Sequence, residues 1–325
     1  MSKPKSIKKS VYILTEGQTE EAYFSRIGEI LGNDTNWTYA VTVEVREIID
    51  GSKTDPVHMV KEAKKNKSYY DEIWVVFDKD RDRDTLNQNA ITLADKSKIK
   101  IAFSSISFEH WLILHFERCV HPFDRSDCES RSTRAMAIIC TCDGTICAKT
   151  YLKKPTLYPA YKKGKSLLYD DLKNRNVIAI ENAAWIRKKQ PHNTDIHLLN
   201  PFTDVDNLLV ELLNLEQVIY LFIGDTFTFE GVNISIIEHK RNANAISVEL
   251  AINNIGTITF LMNDLQSFTL RDNNNNSFSY TTEITTLIQP GANQNVLIFF
   301  NVNDHSQSLT FKATSKRKYF LVDLL

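Results

Sequence analysis

The sequence predicts an α/β domain, a mostly parallel sheet with flanking helices, followed by an all-β sandwich. Three observations carry that expectation. In the first half, short apolar runs alternate with segments of helical periodicity. Those runs are apolar at every position, as in "IWVVF", which suits strands covered on both faces. Past Glu216 the chain turns to short β-branched and aromatic segments separated by Asn, Gly and Asp. At 325 residues two domains are expected, 1–215 and 216–325, with the boundary near Leu215.

Val11–Leu14, the alternating Tyr39–Ile49, Ile73–Phe77 and Ile99–Phe103 read as strands. Helical spacing runs through Glu20–Leu31, closed by Gly32, through Pro56–Lys67 with Asp55 as N-cap, and through Asp84–Lys96. Strand and helix in alternation predict a parallel sheet with helices on both faces. Phe108–Phe116 reads as a further helix, followed by a cysteine-bearing insert at about 117–148. Helical stretches follow over Ser166–Lys189 and Val205–Leu215. In the second domain "VIYLFI", "FTFEGVNISII", "AISVELAI", "VLIFFNV" and "RKYFLVDL" read as strands.

The 39 basic residues nearly balance the 40 acidic ones, which excludes a polycationic binder along the whole chain. One local concentration stands out. From Lys149 to Lys189 there are eleven Lys or Arg against Asp170, Asp171 and Glu181. Lys153, Lys154, Lys162, Lys163 and Lys165 lie in its first part, either a track for a polyanionic backbone or an ordinary solvated face. "MSKPKSIKKS" lacks an apolar core and no run of about 18 apolar residues occurs, so neither a signal peptide nor a membrane span is expected and the cytoplasm is the expected location. All five cysteines, Cys119, Cys128, Cys140, Cys142 and Cys147, fall within 29 residues. That crowding in a reducing compartment suits either a structural zinc or independent thiols, and the spacing is no standard finger.

The chemistry is concentrated in the acids at strand ends. Glu16 follows the first strand, and "VVFDKDRDRD" places Asp78 and Asp80 after the third. In open parallel sheets ligands gather at the carboxyl ends of strands. If the two strands are neighbours, three carboxylates converge, and residues i and i+2 of an extended segment face the same way. Such a group needs a hard cation, magnesium or manganese, and suits metal-assisted phosphodiester chemistry. Taken one at a time, Glu16 also reads as a helix cap and "DKDRDRD" as a solvated turn. Glu20 is either a ligand or an acid that complements the helix dipole. In "SSISFEHWLILHF" Glu109 stands among apolar neighbours beside His115, as a further ligand or as an N-terminal helix acid with a core histidine.

"YILTEGQTEEAYF", "YYDEIWVVFDKDRD", "SFEHWLILHF", "YKKGKSLLYDDLKNRNVIAIENA" and "NPFTDVDNLLVELL", in this order, resemble the RloB-like family of bacterial proteins, part of the wider Toprim group, over roughly residues 8 to 215. The resemblance implies a Toprim-like, Rossmann-like fold. It implies that Glu16 and the Asp78/Asp80 pair bind magnesium, that Glu20 matches the second acid of the OLD-type nucleases, and that Glu109, Trp111 and His115 belong to the family signature. Lys163 matches a recurring lysine that would act near the scissile phosphate. It further implies the nuclease half of a two-component bacterial anti-phage system, an abortive-infection type of defence, partnered by an ABC- or OLD-type ATPase and cutting DNA or tRNA. The cysteine insert and the C-terminal domain depart from that pattern. The latter resembles the immunoglobulin-like domains of bacterial lipoproteins through "NNIG", "FTLRDNNNNSF" and "PGANQNVLIFFNV", with recognition or self-association as its natural role. The rival expectation is a regulatory module that binds nucleic acid or an ATPase without cleaving.

Overall fold

The computed structural model describes residues 9–33, 41–47, 55–79, 83–123, 147–191, 193–242, 245–261, 268–272, 276–281, 287–302, 309–315 and 318–324. It divides into two compact units, Met1–Asn214 and Leu215–Leu325.

The first unit begins β1 (Lys9–Thr15), α1 (Gln18–Asn33), β2 (Val41–Glu47), α2 (Pro56–Lys65), β3 (Glu72–Asp78), α3 (Asp84–Ser97) and β4 (Lys100–Ser105). It continues with α4 (Phe108–Ile113), α5 (Ala148–Leu152), α6 (Leu168–Leu172), α7 (Asn176–Lys189), β5 (Phe202–Thr203) and α8 (Val205–Leu213). The sheet order is β2-β1-β3-β4-β5. The first four strands are parallel, and β5 runs antiparallel to β4, so the sheet is mixed. Two residues are too short a run to give a strand signal, and the sequence reading passed over β5.

Local chemistry explains the helices. Asp55 Oδ1 accepts from the His58 backbone N–H at 2.9 Å and Pro56 opens α2, an N-cap followed by a proline where no donor is needed. In α1, Tyr23, Phe24, Ile27 and Leu31 are buried, the spacing of one helical face. The predicted helix 166–189 is broken. Lys173–Arg175 forms a 3-10 turn between α6 and α7, which redirects the chain before the long helix begins.

The sheet core has two sides. Tyr12, Leu14, Val75, Phe77 and Phe103 pack with Met59, Val60 and Ala63 of α2 and Ala90 and Ala94 of α3. Val11, Ile13 and Val76, alternating with them, are buried as well, as the strand pleat requires of a sheet covered on both faces. The chain leaves β1 outward to β2, then returns past β1 to β3 and continues the other way. With right-handed crossovers this reversal puts α1 and α2 on opposite faces and opens a crevice at the β1/β3 strand ends.

Buried charge holds the far edge. Arg187 of α7 forks onto Asp206 of α8 at 2.5 and 2.6 Å and also donates to the Thr203 carbonyl at 3.0 Å. Asp206 is almost wholly buried. Arg187→Ala leaves that carboxylate unpaired and is expected to cost about 3–5 kcal/mol in urea unfolding of this unit, whereas removing both partners together with leucines is expected to cost much less.

The second unit holds β6 (Gln217–Leu221), β7 (Thr226–Phe229), β8 (Val232–Asn242), β9 (Ala245–Asn254), β10 (Phe260–Leu261), β11 (Phe268–Asp272), β12 (Ser277–Thr281), β13 (Leu287–Ile288), β14 (Asn293–Asn301), β15 (Leu309–Ser315) and β16 (Lys318–Asp323). Nine strands join in the order β6-β16-β15-β11-β12-β14-β9-β8-β7, and β10 pairs with β13. All neighbours are antiparallel except β6 and β16. Residues of β9 alternate buried and half-buried along its whole length. Ile234 and Leu250 near one end of the sheet share a single core with Phe311 and Phe320 near the other, so the sheet curls over itself into a β-sandwich.

Candidate functional site

β1 and β3 are direct neighbours in parallel register, with Thr15 opposite Val76. The Glu16 N–H continues the ladder onto the Val76 carbonyl at 3.1 Å, which sets the Glu16 side chain at the strand end. Asp78 ends β3, and its N–H donates to Glu16 Oε2 at 3.2 Å. One residue from each strand thus meets at the crevice left by the chain reversal.

A cleft of about 180 Å³ opens there, lined by Glu16, Gly17, Thr19, Glu20, Asp78, Phe108, Glu109 and Lys163. Four acids and one lysine from four separated segments face it. Glu20 arrives on the first turn of α1, almost fully buried. Gly17 has an ordinary backbone conformation. Its reason is space, because a Cβ there would stand 2.7 Å from Glu20 Oε2. Glu109, on the first turn of α4, is buried and accepts from the Tyr161 hydroxyl at 2.7 Å. Tyr161 is itself buried, and burial together with the Glu109 charge raises its pKa. Gly164, at φ +68, donates its N–H to Thr19 Oγ1 at 3.3 Å. Those two bonds fasten the "YKKG" loop to α4 and α1, and so set Lys163 at the cleft.

The electrostatics are those of crowded carboxylates. Burial first, and then the charges of Glu109 and Glu16, push Glu20 up to about 8. Burial, followed by Glu20, Glu16 and Glu109, pushes Asp78 well above the usual carboxylate range. Asp78 as a whole residue is half-buried, yet its Oδ1 is sealed from solvent and has no hydrogen-bond partner. An orphaned acceptor beside two other buried acids fits a hard cation with oxygen ligands. Among the described residues no three His, Cys, Asp or Glu side chains close on a single point. The hydrogen bonds show why. Glu16 turns to the Asp78 N–H and to Arg83 Nη1 at 3.4 Å, and Glu109 turns to Tyr161.

The other expected site residues stand as follows. Asp80 lies outside the described residues. His115 does not line the cleft. It is fully buried, its Nδ1 donates to the Trp111 carbonyl at 3.1 Å, and it packs edge-on against Trp111 and Tyr23. Burial lowers its pKa to about 4, so it is a neutral core histidine near neutral pH. Cys119 and Cys147 are buried, and burial pushes Cys119 up to about 11. Cys128, Cys140 and Cys142 lie outside the described residues.

The basic region is smaller than its count suggests. Lys165 pairs with Asp171 at 2.5 Å. Lys173 pairs with Asp170, which also holds Arg26. Arg187 is held internally by Asp206, an acid outside the counted segment. Lys154 lies over the Tyr151 ring at 3.8 Å. Lys153, Lys162 and Lys163 are exposed. Tyr161, Thr19 and Arg83 were not singled out from the sequence, and only the tyrosine of "YKKG" carried a local signal.

Fold and cleft together define an open, doubly wound α/β protein with an acidic crevice at its switch point, joined to a β-sandwich. The chain matches the RloB-like protein family over residues 11–212, more than half its length, and belongs to that family. No curated protein matches it. Among solved structures it is similar to an uncharacterized beta-sandwich protein from Clostridium difficile 630, at 12% identity over 34% of this chain and 96% of that one, with a TM-score of 0.29. It is also similar to MPT63, a secreted protein from Mycobacterium tuberculosis, at 12% identity over 32% of this chain and 96% of that one, TM-score 0.27. A conserved hypothetical protein from Bacillus anthracis matches at 15% identity over 32% of this chain and 94% of that one, TM-score 0.22. Likenesses this slight carry no argument. Among the described residues no helix is long and apolar enough to cross a membrane.

Proposed function

We propose that this chain is a magnesium- or manganese-dependent nuclease of the Toprim type, cleaving phosphodiesters of tRNA or DNA. The observation that supports it most is the cleft at the β1/β3 strand ends, where Glu16, Glu20, Asp78 and Glu109 surround a single lysine, Lys163. Two of the acids are so buried and so close to the others that they hold their protons well above the carboxylate range. A divalent cation held by these four, with Asp80 beside them in sequence, would turn that conflict into binding energy. When bound, the ion supplies a water of lowered pKa and stabilises the leaving oxygen. Lys163 offsets charge developing on the phosphate. Tyr161 keeps Glu109 oriented and, through the loop it anchors, keeps Lys163 at the cleft. Exposed Lys153 and Lys162 offer a salt-sensitive contact to the nucleic-acid backbone beyond the cleft.

The same reading places the chain in the cytoplasm as the effector of a two-component anti-phage system with an ABC- or OLD-type ATPase. The β-sandwich, immunoglobulin-like in this reading, recognises a protein trigger or a second copy of the chain. A structural zinc on the cysteine insert belongs to this proposal as well.

Purified protein incubated with tRNA, single-stranded DNA and duplex DNA in magnesium, manganese or EDTA tests the reading. Metal-dependent cleavage of at least one substrate is expected. Binding without cleavage in every condition favours a non-cleaving regulatory module. Lys163→Ala is expected to lower kcat by about 10²–10³-fold with KM little changed, the mark of a contact made in the transition state. A raised KM with kcat unchanged would move Lys163 to ground-state binding.

A further inference from the structure

Arg83 has no part in the reading above, yet it is a cation set against the ligand acids. Its Nη1 lies 3.4 Å from Glu16 Oε1. The pair is partly open, with the arginine side chain 32% exposed and the glutamate 17%. The two oxygens of Glu16 therefore face different donors, Oε2 the Asp78 N–H and Oε1 the guanidinium.

The stem of Arg83 is fixed even though its head is long. Asn87, fully buried on the first turn of α3, accounts for this. Its side-chain amide donates to the Lys79 carbonyl and its backbone N–H donates to the Arg83 carbonyl, both at 2.8 Å. One residue thereby holds the backbone just after Asp78 and the backbone of Arg83 in fixed relation. The guanidinium stands on a backbone held by Asn87 and reaches Glu16, a residue of the cleft wall. The neighbouring cation, Lys79, points elsewhere and pairs with Asp84 at 3.4 Å.

We infer that Arg83 is an exchangeable counter-ion: it neutralises Glu16 while the cleft lacks a divalent cation, and once the cation takes Glu16 it turns to a phosphate oxygen of the substrate. This rests on the proposed metal-dependent phosphodiester chemistry of the cleft. Three physical points carry it. A partly exposed ion pair is weak, so a divalent cation displaces it readily. Guanidinium has the planar fork that matches phosphate, which a lysine at the same position would lack. An arginine released from Glu16 remains beside a charge centre that has become positive, where a phosphate is the natural partner.

The test is a calorimetric titration of full-length protein with Mn²⁺, and then of the Mn²⁺-loaded protein with inorganic phosphate. Wild type, Arg83→Gln, Arg83→Lys and the charge control Lys79→Gln are compared. Arg83→Gln is expected to bind Mn²⁺ about two- to fivefold more tightly, as loss of a weak competing pair implies, and by more than Lys79→Gln, which removes the same charge nearby. The same variant is expected to lose on the order of tenfold in phosphate affinity, with Arg83→Lys between it and wild type. Equal tightening in Arg83→Gln and Lys79→Gln overturns the exchange, because a general field effect then explains it. Weaker Mn²⁺ binding in a variant of unchanged melting temperature also overturns it. Unchanged phosphate affinity in Arg83→Gln overturns the phosphate role. No Mn²⁺ binding by wild type removes the metal reading itself and this inference with it, a result distinct from the other three.

Discussion

Replacing Asp78 by asparagine is expected to abolish metal-dependent cleavage and, in the same molecule, to raise the melting temperature of the metal-free protein. Both effects follow from one atom. Asp78 Oδ1 is buried without a partner, on a carboxyl group that burial and three neighbouring acids hold well above its usual range. The amide keeps the shape and removes the charge. Loss of a direct ligand should exceed the roughly 10–100-fold cost of disturbing an outer partner of a metal, so a drop on the order of 100-fold or more in Mn²⁺ affinity is expected. Relief of repulsion should raise the melting temperature by about 2–4 °C for each kcal/mol gained in a domain of this size. Function and stability pull in opposite directions at such sites. A variant that keeps full activity would place the cation elsewhere.

The second large effect is a dependence of stability on pH that reverses with metal. In EDTA the folded protein holds the Glu20 proton up to about 8, whereas an unfolded carboxyl releases it near 4.5. Below the lower value both states are protonated and nothing is lost. Between the two values the folded state binds more protons than the unfolded one, so stability falls as pH rises, and Asp78 acts in the same direction. Above about 8 the loss from Glu20 is complete. Saturating magnesium takes the place of those protons, so its affinity and its stabilisation are both expected to grow over the same window. Melting curves from about pH 5 to 9, with EDTA and with magnesium, check the sign. A flat EDTA curve would mean that the acids are hydrated in solution.

What could be read from the sequence depended on how local each signal was. Strands β1 and β3 are short apolar runs with an acid at the end, and this pattern alone located Glu16 and Asp78. Glu20 and Glu109 were legible because first-turn helix positions are set by their own segments. The contacts of Tyr161 and Arg83 were not, because their partners lie 52 and 67 residues away and no periodicity links them. His115 was placed near the site by sequence neighbourhood, but α4 ends at Ile113, and the turn that follows sends the ring into the core. Counting charge along one segment overstated the basic region because Asp206, which neutralises Arg187, stands 19 residues further on. β5 left no trace, as two residues hold no alternation to read.

The bonds that define the cleft have a consequence for how the chain comes off the ribosome. Asp78 is 62 residues from Glu16, Tyr161 is 52 from Glu109, and Gly164 is 145 from Thr19. No contiguous fragment shorter than the span from β1 to the "YKKG" loop contains every wall of the cleft. Contacts this distant form late, after the entropy of closing long loops has been met. A nascent or clipped chain would therefore carry the acids without the pocket. For a protein proposed to cut nucleic acid, reactivity would then appear only with the completed domain, and unfinished copies would be inert to the cell that makes them.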